Sequence, residues 1–418
     1  MSELRPRSSA SDELRPRDRS SGTAKLPGIA RHGRLKKSNP WPSVAKFIAA
    51  GLAVVLVSGV TLGALAVNQL RSNLAANAVT LIGETEGPPP SIGAYEGGFN
   101  ILIVGSDTRA GQEGIGGSAD DESGTLNDVN ILLHVSQDQT NAVAVSFPRD
   151  MVVGIPECPD AEGNTKGYST EPINVSLFYG GLACVVLTVQ ELTGLPIQFA
   201  GLITFTGVIN MADAIGGVPV CVTGPIYDDG IIIPEAGTYN LTASDALGFL
   251  RTRSGVGDGS DLTRISSQQV YLSSLVRTLK SAGTLGDPSK VYKLARTAAA
   301  NLQLSNSLAD INTMASIALA LKDIPLERVT FVQYPGSTGG DGIYSGKVRP
   351  DTATGDQLMA YIASDQPFVL AQAGDGRGSE LDPNAPAPEV PVDNTGLPIL
   401  EGVSGQTAGD YTCSIANE

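Results

Sequence analysis

The stretch FLRTRSGVGDGSDLTRISSQQ, residues 249–269, gathers Arg251, Arg253 and Arg264 around a turn made flexible by Gly255, Gly257 and Gly259. Arg251 and Arg253 follow the helical segment ASDALGFL, for which Thr242 and Asp245 have capping-box spacing. An i, i+2 pair in extended chain shares one side. Asp261 has the type and place of an N-cap for the next helix. Arg264 then falls in the first turn, with Gln268 one turn further on the same face. A cation in a first turn opposes the helix dipole, so Arg264 calls for a compensating anion. Forked guanidinium donors beside free helix N–H groups suit phosphate oxygens, at about 1.5–3 kcal/mol per charge-assisted bond. Ion pairing with Asp258 and Asp261 would account for the same arginines, and both readings stand at this point.

Acids and arginines recur where apolar runs end. LIVGSDTRAG places Asp107 and Arg109 after one such run, LNDVNILL puts Asp128 just before a second, and SFPRDMV closes a third with Arg149 and Asp150. Ligands of open α/β sheets collect beyond strand ends. Carboxylates for Mg²⁺ and guanidiniums for the remaining charge suit a metal-bridged phosphate. Nothing suggests a nucleophilic triad, because His134 lies inside an apolar strand and reads as a packed residue. GGDGIYSGKV imitates a phosphate-binding loop, but Asp341 and Val348 break the pattern and it is rejected.

These residues need a scaffold. FNILIVGSD, VNILLHVS and AVAVSFPRD read as strands, GGLACVVLTVQELTG as a helix ending at Gly194, and LITFTGVINMADAIGG as a strand and a helix stopped by two glycines. A helix from Asp261 to Leu279 would bury Ile265, Leu272, Val276 and Leu279 on one face, and a helical region from Val291 to Lys322 precedes the strand RVTFVQYP. The mixture predicts an α/β fold, a three-layer α/β/α sandwich around a central mixed sheet. Val185, Val186, Phe199, Leu202, Ile203, Phe205 and Ile209 could line an apolar groove as well as a core.

The 418 residues carry a net charge of −15, unevenly spread. Residues 1–46 hold 11 Lys or Arg against 4 Asp or Glu, and the remainder 17 against 39. An acidic body excludes nucleic acid as a partner. Residues 47–67 form an uncharged run of 21, about 30 Å as a helix, which is enough to span a bilayer. Arg31, Arg34, Lys36, Lys37 and Lys46 flank only its N-terminal side, predicting a single-pass cell-membrane protein with a cytoplasmic N-terminus and an extracytoplasmic body. All four cysteines, Cys158, Cys184, Cys221 and Cys413, follow this run and predict structural disulfides with three possible pairings. The expected organisation is a basic disordered tail (1–46), a transmembrane helix (47–67), a stalk (68–96), a body (97–373; core 99–279, helical and strand part 280–373) and a Pro-rich linker with a short terminal piece (374–418).

The ordered set VGSDTR, SFPRDM, INVSLFYGG…TVQELTG, DAIGGVPVCV, ALGFLRTR and DGSDLTRISSQQ resembles the LytR-CpsA-Psr family of bacterial envelope proteins, over residues 99–279 and more weakly to about 335. The resemblance implies a Mg²⁺-dependent phosphotransferase. Such an enzyme moves glycan-1-phosphate from a polyprenyl-pyrophosphate carrier to peptidoglycan. It implies that Arg149, Arg251, Arg253, Arg264 and Gln268 hold the pyrophosphate with Arg109 nearby, and that Asp107 and Asp128 hold Mg²⁺, one of them helping to deprotonate the acceptor hydroxyl. Asp261 would orient the arginines or cap its helix. The family pattern has Arg two positions before the second acid and Ser or Ala just before it, where this chain has Leu126 and Asn127. Actinobacterial members further imply Cys184 paired with Cys221, leaving Cys158 for Cys413. A polyprenyl-pyrophosphate hydrolase and a non-catalytic glycan-binding or regulatory module are the alternatives. Which glycan is carried does not follow from the residues.

Overall fold

The computed structural model describes residues 39–76, 78–82, 98–108, 125–160, 163–228, 230–280, 294, 296–298, 300–309, 311–386 and 393–417. Residues 1–38 of the tail, 83–97 of the stalk and Arg109 lie outside them. The chain divides into two compact units, 1–61 and 62–418.

Among the described residues the principal helices, in chain order, are α1 (Trp41–Ala76), α2 (Ser176–Thr193), α3 (Phe205–Ile215), α4 (Ala243–Arg251), α5 (Asp261–Lys280), α6 (Ile311–Asp323) and α7 (Thr352–Ala363). The principal strands are β1 (Phe99–Ser106), β2 (Asn127–Val135), β3 (Ala142–Phe147), β4 (Phe199–Ile203), β5 (Val218–Val222), β6 (Gly237–Leu241), β7 (Leu302–Leu304), β8 (Val329–Gln333), β9 (Ser379–Leu381), β10 (Gly405–Thr407) and β11 (Thr412–Ser414). α1 extends the expected apolar span at both ends, and its residues 41–65 are exposed. Among the described residues α2, with the short turn before it, is the other helix long and apolar enough to cross a bilayer, but over half of it is buried in the core.

The central sheet is mixed, in the order β7-β4-β1-β2-β3-β8-β10. β1 and β2 pair antiparallel, with Phe99 opposite Val135 and Ile103 opposite Ile131. Period-two alternation sends their side chains to opposite faces. Leu102, Val104 and Leu132 pack with Val185, Val186 and Val189 of α2 and with Leu358 and Ile362 of α7. Phe99, Ile101, Ile131 and Val135 pack with Leu272 and Val276 of α5 and Ile317 of α6. Helices on both faces of a mixed sheet give the expected three layers. The imagined groove does not form as one surface, because Val185 and Val186 belong to the first core and Phe199 to the second.

A second sheet, β6-β5-β11-β9, encloses a separate core with α4 and with Val270 and Tyr271 of α5. α5 is thus held between two sheets, and residues 262–271 are buried all round rather than on one face. β7 interrupts the region read as helical between Val291 and Lys322. Boundaries shift too. Val79 donates to Leu304 and accepts from Asn306, so part of the presumed stalk joins the sheet edge. The presumed linker and terminal piece supply β9 and β11 to the second sheet and β10 to the first.

The disulfides correct the expected pairing: Cys158 bonds Cys184, and Cys221 bonds Cys413. Cys184 sits on α2 in a small cluster with Cys158 and Ile155, whereas Cys221 lies in β5 of the second sheet. There it faces Cys413 directly across the parallel β5–β11 pair. Gly180 permits the first bridge, since a Cβ there would lie 2.8 Å from the Pro159 carbonyl and 3.0 Å from the Cys184 Cβ. Peptide mapping without reduction is expected to recover 158–184 and 221–413 cross-links and no 184–221 species. In a chain-entropy view, opening the bridge across 192 residues should cost about 5 kcal/mol and the one across 26 about 3.5 kcal/mol, read from denaturant curves of paired Cys→Ala variants.

Candidate active site at the strand ends

Asp261 is the hub. Its side chain is 9% exposed, and its Oδ1 lies 2.5 Å from Arg264, 3.7 Å from Arg149 and 3.8 Å from Arg253. It is not the N-cap the sequence suggested. Ser260 takes that position, its Oγ accepting from the Thr263 N–H at 3.3 Å. The Asp261 carboxylate is thereby released to face the arginines. Thr242 precedes α4 in extended conformation but makes no side-chain cap.

Arg149 closes β3 and pairs with Asp128, with Asp150 and with Asp261. Arg264 also donates to the Asp128 carbonyl at 3.2 Å, so this one residue contacts two arginines through different atoms. The Nε atoms of Arg149 and Arg264 are buried without a hydrogen-bond partner, as is the Asp261 carboxylate. Buried donors in that condition are costly unless something accepts from them.

Burial pushes the Asp261 carboxyl above its ordinary range, opposed by Arg264 and Arg149. It pulls the Arg264 guanidinium down, opposed by Asp261. For Arg149 burial is outweighed by Asp128, Asp261 and Asp150, and the guanidinium is held above its usual range. Three guanidiniums lie within 4 Å of the Asp261 Oδ1, and their attraction works against the effect of burial.

Asp107 sits just past β1 and accepts the Leu126 N–H at 2.9 Å. Burial pushes its carboxyl up, the Leu126 N–H opposes this, and the charge of Asp128 raises it further. Two carboxyl groups near enough for the charge of Asp128 to act on Asp107 are an oxygen donor set suited to a hard divalent cation. The residues therefore fit the implied Mg²⁺.

The Leu126–Asn127 departure acquires a structural account. Leu126 contributes its N–H to Asp107. Asn127 is fully buried, donating to Asn130 Oδ1 and the Ile173 carbonyl while accepting from the Leu177 N–H at 3.1 Å. It caps α2, whose own preceding residue makes no side-chain cap. A buried Asn in a tight network tolerates few substitutes, but local pattern gives no sign of a partner 50 residues away.

Not every candidate converges. Arg251 is exposed, its guanidinium lying 4.4 Å from the centre of the Phe205 ring. Gln268 donates to the Leu250 carbonyl at 2.8 Å, which ties α5 to the end of α4. The rejected glycine-rich stretch contributes after all: its Lys347 donates to Asp150 at 2.8 Å, beside Arg149. His134 is buried between Asn100 and Asp365, and burial lowers its pKa against the pull of Asp365.

An α/β domain that collects arginines and paired acids beyond its strand ends has side chains of the type that can meet phosphate oxygens. The chain belongs to the LytR_cpsA_psr family, whose model matches residues 67–357. Relatives include the cell wall biosynthesis protein LcpA of Corynebacterium glutamicum, 28% identical over 394 residues, 88% of this chain and 73% of that protein. The polyisoprenyl-teichoic acid–peptidoglycan teichoic acid transferase TagT of Bacillus subtilis is 26% identical over 314 residues, 73% and 90%. The fold is shared with TagV of B. subtilis (TM-score 0.52, 19% identity, 65% of this chain and 97% of that one). It is also shared with a LytR-Csp2A-Psr enzyme from Actinomyces oris (0.51, 20%, 68% and 94%).

Replacing Asp261 with Asn should remove the charge that Arg253 and Arg264 share, while Arg149 keeps Asp128 and Asp150. Urea unfolding of Asp261→Asn is expected to show a loss of about 3–5 kcal/mol, against about 1 kcal/mol for Ser260→Ala, which removes only a cap.

Proposed function

We propose that this protein is a membrane-anchored transferase. It moves a glycan-1-phosphate from a polyprenyl-pyrophosphate carrier to a hydroxyl of peptidoglycan, outside the cytoplasmic membrane. The observation that carries the proposal is the convergence of Arg149, Arg253 and Arg264 on one buried carboxylate, with guanidinium Nε donors left unpartnered. A pyrophosphate offers the several acceptor oxygens such an array needs. Relatives named as cell wall biosynthesis proteins and a teichoic acid transferase support the same class of substrate. The apolar α1 after a basic segment supports the anchor and its orientation.

In this mechanism the acceptor hydroxyl oxygen attacks the phosphorus that carries the sugar. A new P–O bond forms, the bridging P–O bond breaks, and polyprenyl phosphate leaves with the bond's electron pair. The hydroxyl proton passes to a carboxylate of the Asp107–Asp128 pair. Arg149, Arg253 and Arg264 hold the phosphate oxygens and offset the charge that builds on the leaving phosphate, which is the main demand of phosphoryl transfer. Mg²⁺ bound at Asp107 and Asp128 would neutralise further oxygens. Lys347 adds a cation at the rim through Asp150. For the prenyl chain, the β1–β2 face beside Asp107 offers Ile103, 37% exposed although in an interior strand, with Val129 partly buried near it.

The test uses the full chain in detergent with Mg²⁺, a polyprenyl-pyrophosphate disaccharide and a peptidoglycan oligomer. The expected products are polyprenyl phosphate and a phosphodiester-linked acceptor. Chelation, Asp107→Asn or Arg264→Ala should each lower the rate by about 10²-fold or more. Free glycan phosphate in place of the linked acceptor would favour hydrolysis. Absence of any carrier turnover would remove the assignment.

A further inference from the structure

The family match ends at residue 357, yet the chain beyond it reaches the site. Arg253 begins a glycine-rich turn: Asp228 Oδ2 accepts from its N–H at 3.1 Å and from the Thr252 hydroxyl at 2.5 Å, and within residues 253–259 the backbone closes through the Val256 and Gly259 N–H groups. Glycines at 255, 257 and 259 make that turn costly to order. Asp258 ties its far end to the Ser260 N–H and the Thr263 hydroxyl, and residues 415–417 hold its middle. The Gly257 N–H donates to the Ile415 carbonyl at 2.9 Å and the Asn417 N–H to the Gly255 carbonyl at 3.1 Å. The Asn417 side chain donates to the Ser254 carbonyl at 2.8 Å, and Val256 forms a bridge with Ala416.

The same segment grips α5 through its serines. Asp375 accepts from Ser266 Oγ at 2.6 Å through one oxygen. Through the other it collects the N–H groups of Arg377, Gly378 and Ser379, which folds its own loop. Ser414 meets Ser267 at 2.8 Å, and Gln406 donates to Ser273 at 2.8 Å. Gly378 packs so closely that a Cβ there would lie 2.5 Å from the Thr263 carbonyl. Ser266 and Ser267 lie between Arg264 and Gln268, so these grips fix the backbone that carries both. The Cys221–Cys413 bridge fastens the segment to the second sheet.

We infer that residues 374–386 and 393–417 form a brace that sets the position of Arg253 and of the start of α5, with Asp375 and Asn417 as its positioning residues. The inference rests on the transferase reading for its catalytic consequence, and on contacts alone for its structural one. A misplacement of about 1 Å at a reacting centre can cost about 10²-fold in rate, so the middle of the arginine turn, between its Asp228 and Asp258 anchors, is where such support matters.

The test measures amide hydrogen exchange and steady-state kinetics on the full chain carrying Asn417→Ala, Asp375→Ala or Asp375→Asn. The two alanine variants should speed exchange at residues 254–259 at least tenfold while leaving Leu102–Val104 of β1 unchanged. They should raise KM for the polyprenyl-pyrophosphate carrier at least threefold, with kcat changed less. Asp375→Asn retains an oxygen for the loop N–H groups and presents its NH₂ to Ser266 Oγ, which can accept, so it should stay within twofold of the parent. Unchanged exchange at 254–259 overturns the brace. Equal acceleration in β1 also overturns it, because that marks general loss of stability. A parent protein that does not process the carrier defeats the transferase reading, while the exchange data still decide the brace.

Discussion

A buried negative charge shared among three guanidiniums organises this molecule. Arginines repel one another, and bringing Arg149, Arg253 and Arg264 together without Asp261 would cost more than any local preference could offset. Each arrives from a different element: the end of β3, the turn after α4 and the first turn of α5. One carboxylate thus fixes the mutual placement of sheet, turn and helix. The desolvation that weakens its ionisation also strengthens its hold on the arginines. The cluster stays short of hydrogen bonds, with Nε donors unused, and an anion could complete it.

Around that hub the fold works by indirect support. Asn127 reaches from β2 to cap α2, and Leu126 beside it turns its N–H to Asp107, so the second acid's strand also sets the first acid. α5 is lined with Ser266, Ser267, Ser273 and Ser274, all buried, which an isolated amphipathic helix would leave in water. They are buried because a second sheet and residues beyond the family match cover them. Polar helix faces that find partners for every hydroxyl lock a helix in one rotation, which a helix presenting both Asp261 and Arg264 to one site requires.

Much of this was legible beforehand, for a definable reason. The strands β1, β2 and β3 show β-branched runs, α3 stops at Gly216 with a φ of 91°, and the acids and arginines lie at element ends where side chains can meet. Arg149, Arg253, Asp261 and Arg264 could be named from residue type and placement. Asn127 and Lys347 could not: one sits where a family pattern expects another residue, and the other lies within a stretch dismissed as a failed phosphate loop. Arg251 was grouped with Arg253 by an i, i+2 argument that required extended chain. α4 continues through Arg251, so the two side chains diverge, and Arg251 stacks on Phe205 instead.

The sequence by itself determined the apolar span, the mixture of strands and helices, and which residue types could meet a phosphate, because these follow from composition and local periodicity. Only tertiary structure decided which cysteines bond, which acid gathers the arginines, and that residues 374–386 and 393–417 belong to the domain. Those outcomes depend on distances between positions far apart in the chain, such as Cys221 and Cys413 at 192 residues' separation. Such distances are set by sheet order and packing, which no local pattern encodes.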